Sequence, residues 1–308
     1  MPTPSQLLQF LIGGLTVGSI YALIALGFVT IYNVTGIVNL SQGEFAVLGA
    51  LVAVTLSEPT RLFNRSFTLE LGLPLPLAML IAIAIVTFIG GAFYQLALRP
   101  ARHAAIVSLI IITIGASIML RGLALIAWGT DPYTLPRFTT GPPLDIAGAV
   151  MTRQAVWVVA TTVVVVGGLY FFFEKTMLGK ALRACALNTT AARLMGISTE
   201  RMALFAFALS AGVGALAGIV ITPLTPMGYD SGTFLGLKGF VAAIMGGLTS
   251  APGAVIGGLL LGVLETLGAG LISSGYKDAI AFIVLFGILF ARVSGVGGWL
   301  RIRARGGS

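Results

Sequence analysis

Two carboxylates, Glu44 and Glu265, lie inside long apolar runs of the chain. A carboxylate in such a place can exchange a proton, hold a cation or line a polar path. A charge at mid-bilayer costs roughly 2.5–3.5 kcal/mol on insertion scales, so each needs a partner or water. Glu44 closes a polar cluster with Asn39, Ser41 and Gln42. These four are the candidate lining of a translocation pathway. For Glu44 two readings stand side by side, path lining and a structural hydrogen bond. Glu265 reads as a structural hydrogen bond to an Asn, Gln or Ser on a neighbouring helix. Arg121 and Lys238 also fall within apolar runs. They are placed near the outer ends of their spans, where long cationic side chains snorkel to water. Asn33 and Asn39 read as local backbone partners.

The remaining inventory excludes most enzyme chemistry. His103 is the only histidine and lies in a short basic turn; no relay of Asp, Glu and His residues appears, which leaves proton coupling through the two carboxylates open but without support. No glycine-rich phosphate loop ending in Gly-Lys-Ser/Thr occurs, so any nucleotide hydrolysis belongs to another chain. Cys185 is the single cysteine, which rules out an internal disulfide and a cysteine-rich metal site. No catalytic residue, metal or cofactor is expected.

The elements that must position these groups are membrane helices. Of 308 residues, 57% are hydrophobic and only 9% charged, against about a quarter charged in soluble proteins. Mean hydropathy is +1.03. The expected fold is an all-α polytopic helical bundle in one membrane domain, residues 1–308. A span needs about 20 apolar residues. Candidates run over Leu7–Tyr32, Leu75–Leu98, Ala105–Trp128, Gln154–Phe173, Met202–Thr222 and Ala254–Ile272. Asn33–Phe45 reads as a bent or partly unwound lead into a further span ending near Leu56. Shorter apolar runs cover Phe234–Leu248 and Ala279–Val293. The count is about eight to nine membrane segments. GxxxG pairs at Gly14/Gly18 and Gly214/Gly218 allow close helix approach. Gly43–Ala50 faintly echoes Gly239–Gly247, as an internal repeat would. The N-terminus lacks a basic signal-peptide region and is read as retained. Tyr21, Trp128 and Trp157 read as packing or interface aromatics.

The net charge of +8 is not a nucleic-acid signal, because the basic residues sit in loops between spans. The loop with Arg99 and Arg102, the Glu174–Arg201 loop and the tail with Arg292, Arg301, Arg303 and Arg305 carry +2, +3 and +4. The opposite loops together carry −1. The positive-inside rule makes the basic side cytoplasmic. With nine crossings the N-terminus is periplasmic and the C-terminus cytoplasmic.

Glu174–Arg201 is the longest polar stretch. Leu178, Leu182 and Cys185 recur at helical spacing. Asn188 or Thr189 is a plausible N-cap and Gly196 a stop, with a short helix over Thr190–Met195 between them. Exposed Leu194 and Met195 on that helix suit a partner's groove.

Thr190-Ala191-Ala192-Arg193-Leu194-Met195-Gly196 resembles the EAA-x-x-x-G loop of ABC importer permeases, with threonine in place of glutamate. Gly18–Ala50, the string RACALNTTAARLMGI and Phe240–Gly258 resemble, in the same order, branched-chain amino-acid permeases of the LivH type. The resemblance implies one subunit of a larger importer in a bacterial inner membrane. Its implied partners are a homologous LivM-type permease, two cytoplasmic ATPases and a periplasmic substrate-binding protein. Thr190–Gly196 would be the coupling helix that contacts the ATPases. Substrates in such families are leucine, isoleucine and valine, other amino acids, short amides or urea. The rival readings are a stand-alone secondary transporter, coupled through Glu44 or Glu265, and a passive small-solute channel.

Overall fold

The computed structural model describes residues 3–63, 67–271, 273, 275 and 277–293. The basic tail with Arg301, Arg303 and Arg305, and Arg65 of the first loop, lie outside the described residues. The chain is an all-α helical membrane protein with two small β-hairpins. Among the described residues six helices are long and apolar enough to cross a membrane: α1 (Pro4–Thr35), α3 (Leu75–Phe93, continued by one wide turn to Leu98), α4 (Ile106–Trp128), α5 (Arg153–Lys175), α8 (Thr199–Ile221) and α10 (Ala251–Leu271). Two apolar helices are shorter, α2 (Gln42–Ser57) and α9 (Ser231–Gly246). Helices α6 (Met177–Leu187) and α7 (Thr189–Leu194) fill the long basic loop, and α11 (Lys277–Val293) ends the described chain. The hairpins β1–β2 (Thr60–Leu62, Phe67–Leu69) and β3–β4 (Leu144–Ile146, Ala149–Met151) lie in the connections after α2 and after α4. Three-residue strands carry too little alternation to be seen in a sequence.

Helix α1 is the axis of the bundle. It is apolar on every side, as a helix enclosed by others must be. From Ser19 to Ile31 each of its residues is buried. It opens on a capping box, in which Thr3 Oγ1 accepts from the Gln6 amide and Gln6 Oε1 accepts from the Thr3 amide. It ends at Gly36, whose φ of +69° turns the chain left-handed and stops the helix. Its most extensive neighbour is α10. The crossing is a glycine seam: a Cβ on Gly18 would stand 2.8 Å from both Gly258 O and Leu259 Cα. The Gly214/Gly218 pair does the same for α8 against α2, where Gly218 abuts the Ala46 backbone.

The chain folds back after α1. Residues 36–41 are non-helical and run beside α4, where Thr113 Oγ1 accepts from the Leu40 amide at 3.2 Å. Helix α2 then starts level with Ser210, near the middle of α8. Gly43 in its first turn packs on Gly232 and Gly236 in the first two turns of α9. The N-termini of the two short helices therefore meet inside the bundle, and both helices carry the echoed segments. Unwound backbone at this depth survives because it is buried in protein.

The loops sort into two faces. Glu200 at the start of α8 pairs with both Arg99 (3.1 Å) and Arg102, joining the two basic loops. On the other face Tyr133 bridges Met227, and the Gln9 side chain bonds both backbone atoms of Val150.

Candidate functional site

Glu44 sits in the first turn of α2, 2% exposed. Its Oε1 accepts from Ser117 Oγ of α4 at 3.0 Å and from Thr233 Oγ1 of α9 at 3.5 Å. Thr233 Oγ1 in turn accepts from Arg121 Nη1 of α4 at 2.9 Å. Ser117 and Arg121 are four residues apart and share a helix face. Ser117 is the midpoint of α4, so the cluster lies deep along the helix. The helix N-terminus beneath Glu44 favours a negative charge there. Arg121 is half-buried and its Nη1 is bonded to the exposed Thr233 of a neighbouring helix, a partner that a reading of α4 alone cannot supply.

The other pathway candidates are engaged within the protein. Gln42 is fully buried, donating through Nε2 to Ser210 O (3.1 Å) and accepting from Ser210 Oγ (2.7 Å), which pins α2 to α8. Asn39 Oδ1 accepts from the Ser41 amide (3.3 Å) and Ser41 Oγ (2.7 Å). This is the local backbone role expected of Asn39. Its Nδ2, fully buried, has no hydrogen-bond partner among the described residues. Asn33 instead reaches across the bundle, donating to Thr249 O at 3.1 Å.

Glu265 lies at the meeting of four helices. Lys238 Nζ of α9 contacts Glu265 Oε1 and Asp278 Oδ1 of α11, each at 2.7 Å. Tyr21 Oη of α1 donates to Glu265 Oε2 at 2.7 Å, and the ammonium lies 5.7 Å from the Tyr21 ring centroid. Glu265 is structural as expected, but its partners are a lysine and a tyrosine. Lys238 is a buried ion-pair member and not a snorkelling side chain. Tyr21 is more than a packing aromatic, since its hydroxyl is committed to the carboxylate.

The basic loop is structured throughout. Thr176 Oγ1 caps α6 by accepting from the Gly179 amide at 3.0 Å. Leu182 and Cys185 are buried, whereas Leu178 faces out. Burial pushes the Cys185 thiol up from its ordinary value, and nearby Arg193 opposes this. Asn188 is the N-cap of α7, its Oδ1 accepting from the Ala191 amide at 2.9 Å. The helix covers Thr189, Thr190, Ala191, Ala192, Arg193 and Leu194, one residue earlier than expected. It closes in a Schellman motif: Ile197 N donates to Ala192 O and Gly196 N to Arg193 O, both at 3.0 Å. Gly196 sits at φ +81° with open space around its Cα. Ala192 is buried, while Leu194 and Met195 are 83% and 81% exposed. Arg193 Nε donates to Thr199 Oγ1 at 2.9 Å, tying the loop to α8.

A family model for the branched-chain amino acid transport system permease component matches residues 10–289. The chain belongs to this permease family. The high-affinity branched-chain amino acid transport system permease protein BraD of Pseudomonas aeruginosa is 33% identical to this chain, covering 96% of it and 97% of the relative. The corresponding LivH protein of Escherichia coli K12 is 32% identical, with 94% of each chain covered. The ribose import permease protein RbsC of Haemophilus influenzae is 24% identical over 88% of this chain and 81% of its own.

Within this permease the sequence exposed Glu44 as a group needing partners. It did not expose Ser117 or Thr233. A lone serine in a span and a threonine near a helix start carry no sequence signal. They matter only because α2, α4 and α9 converge. The i,i+4 spacing of Ser117 and Arg121 was the one cue available.

Proposed function

We propose that the chain is the membrane-spanning permease subunit of an ATP-driven importer for branched-chain or related amino acids. It is one membrane domain in a bacterial inner membrane, with about eight to nine crossings and α2 and α9 as the short ones. It pairs with a homologous permease, receives solute from a periplasmic binding protein and carries two cytoplasmic ATPases. The basic face is cytoplasmic by the positive-inside rule, which leaves the N-terminus periplasmic and the C-terminus cytoplasmic. Alternating access follows when closure of the ATPases moves α7 and tilts α5 and α8, the spans that flank the loop. Solute passes between the two permeases, near the segment with Asn39, Ser41, Gln42 and Glu44.

The observation that carries the reading is α7. It is capped at both ends, anchored through buried Ala192, and presents two large apolar side chains to water. Isolated exposed apolar residues need no explanation. Two in succession, Leu194 ending so short a helix and Met195 at its C-cap, fit insertion into a groove on another protein. The relatives' names and the length of the match support amino-acid import. The sequence contains no phosphate loop, which is in keeping with an energy source supplied by another chain.

Gly196 tests it. A β-branched residue is strongly disfavoured at positive φ, so Gly196→Val reshapes the C-cap while leaving open space around it. The expected result is normal membrane insertion with uptake lost. Unimpaired uptake by a correctly inserted Gly196→Val variant would falsify the coupling role. Uptake by the chain without any ATPase subunit would favour the secondary-transporter reading instead.

A further inference from the structure

Within the permease reading above, we infer that Glu44 and Arg121, with Ser117 and Thr233 between them, form a contact site for the zwitterionic head of an amino acid on its way through. In it the α-ammonium sits at the Glu44 carboxylate and the α-carboxylate at the Arg121 guanidinium. The inference rests on that reading for the direction of transport, and on the geometry of this cluster for everything else.

Four observations carry it. First, a buried acid and a half-buried base stand close without forming a direct ion pair among the described residues; a single hydroxyl, Thr233 Oγ1, stands between them. Elsewhere in the same bundle Lys238 and Glu265 close to 2.7 Å, so this fold forms direct pairs where the purpose is structural. Opposite charges one hydroxyl apart match a head group that carries both signs on adjacent atoms. Second, the spacers are hydroxyls, which donate or accept by rotation. Ser117 and Thr233 satisfy Glu44 in the absence of solute and can release it to an ammonium without leaving a buried charge bare. Third, the cluster opens outward. Glu44 is buried, Ser117 and Arg121 are half-buried and Thr233 is exposed. Helices α4 and α9 both pack on α2 yet do not pack along each other, so α2 floors a crevice between them. Fourth, the α4 side of the cluster is apolar. Ile114 and Ile118 stand three residues before Ser117 and Arg121 on the same helix face and are 40% and 56% exposed, which suits a branched aliphatic side chain beside a polar head.

The depth also fits. Ser117 is at the middle of α4 and the N-termini of two short helices meet beside it. Transporter binding sites lie near the midplane at such discontinuous helices. Contact in transit must be weak, so the site is a stepping place and not a tight pocket.

The single native cysteine makes a direct test available. In a Cys185→Ser background, Ile118→Cys places a thiol on the α4 face that carries Arg121 and keeps all four polar groups. The complete transport complex is held in nanodiscs without binding protein, and maleimide alkylation of the thiol is timed. Three probes are added at millimolar concentration: L-leucine, 4-methylpentanoate, which lacks the amine, and 3-methylbutylamine, which lacks the carboxylate. L-Leucine is expected to slow alkylation while neither single-charge analogue does. Adding Glu44→Gln or Arg121→Gln should weaken that protection about ten-fold, the effect of losing one charged hydrogen-bonding partner. No protection by L-leucine overturns the inference. So does equal protection by the analogues, which would make the crevice merely apolar, or protection that survives both polar substitutions. ATPase stimulation by leucine-loaded binding protein, read in parallel particles, separates the two claims. Stimulation without protection removes this site and leaves the permease reading standing, whereas protection without stimulation does the reverse.

Discussion

At the scale of single residues, the membrane sorts side chains by whether a partner is in reach. Sequence marked Glu44 and Glu265 as groups in need of a partner or water, because glutamate is short and cannot snorkel far. It could not name the partners. Lys238 is 27 residues from Glu265 on another helix, and nothing local to either predicts their contact. The buried Lys238–Glu265 pair makes a stability prediction. Glu265 is fully buried and Lys238 nearly so. Lys238→Met leaves a buried carboxylate with only the Tyr21 hydroxyl and its weaker contacts, a change that costs about 3–5 kcal/mol for broken buried pairs. Lys238→Met combined with Glu265→Gln removes both charges and keeps an acceptor for Tyr21. Asp278 is more than half exposed and can turn to water. Thermal unfolding in detergent micelles should therefore rank wild type first, the double variant second and Lys238→Met last. A double variant less stable than Lys238→Met would show that the charge balance at this junction contributes little.

At the scale of helices, what holds the bundle together is close approach, since lipid is as apolar as the helix surfaces and burial alone drives little. The α1–α10 crossing and α5 give opposite expectations for two glycines. A side chain at Gly18 meets α10 backbone that cannot move aside. Gly18→Leu should destabilise by about 1–3 kcal/mol or more through overpacking. Nothing lies within 4 Å of a Cβ added at Gly168 of α5. Gly168→Ala should be neutral or stabilising by up to about 1 kcal/mol, the difference in helix propensity. Fluorescence-detected size exclusion after a heating series checks both in one experiment; equal loss for the two would contradict the seam. Elements of this kind were legible to different degrees. The third span, Leu75–Leu98, matched end to end because its flanks are proline and arginine. The α7 caps were legible because Asn188 and Gly196 have one strong local role each. The meeting of α2 and α9 was not, although both contain the echoed glycine-rich segment. Its cause is tertiary: Gly43 against Gly232 and Gly236 is a contact between helices almost 190 residues apart in the chain. The Gly14/Gly18 and Gly214/Gly218 pairs show the same limit, since the motif announces a close neighbour without saying which.

At the scale of the whole molecule, charge and packing describe the same two-sided object by independent routes. Loop charge divides the connections into a basic set and a neutral-to-acidic set. Contacts divide them identically where both are described: Arg99 and Arg102 meet Glu200 on one face, and Tyr133 meets Met227 on the other. Gln9 bonds Val150, so the start of α1 belongs with the second face, and Asn33 near its end meets Thr249 beyond α9. Between the faces lies a belt of exposed apolar side chains, including Leu80, Phe88, Ile111, Val163 and Val164. Such a belt is the kind of surface that lipid covers. The arrangement predicts how thiols placed on the two faces will label. In the Cys185→Ser background, Leu187→Cys puts a thiol at one of the most exposed positions of the basic loop, and Thr140→Cys puts one in the exposed loop between α4 and β3. A membrane-impermeant maleimide should label Thr140→Cys in spheroplasts and leave Leu187→Cys unlabelled there, with the pattern reversed in inside-out vesicles. The opposite pattern would invert the assignment of α7 to the cytoplasm, and with it the proposal that ATPases reach this helix. Labelling of both thiols from one side would break the division into two faces, because α5 joins the two loops and would then have to enter and leave on the same surface.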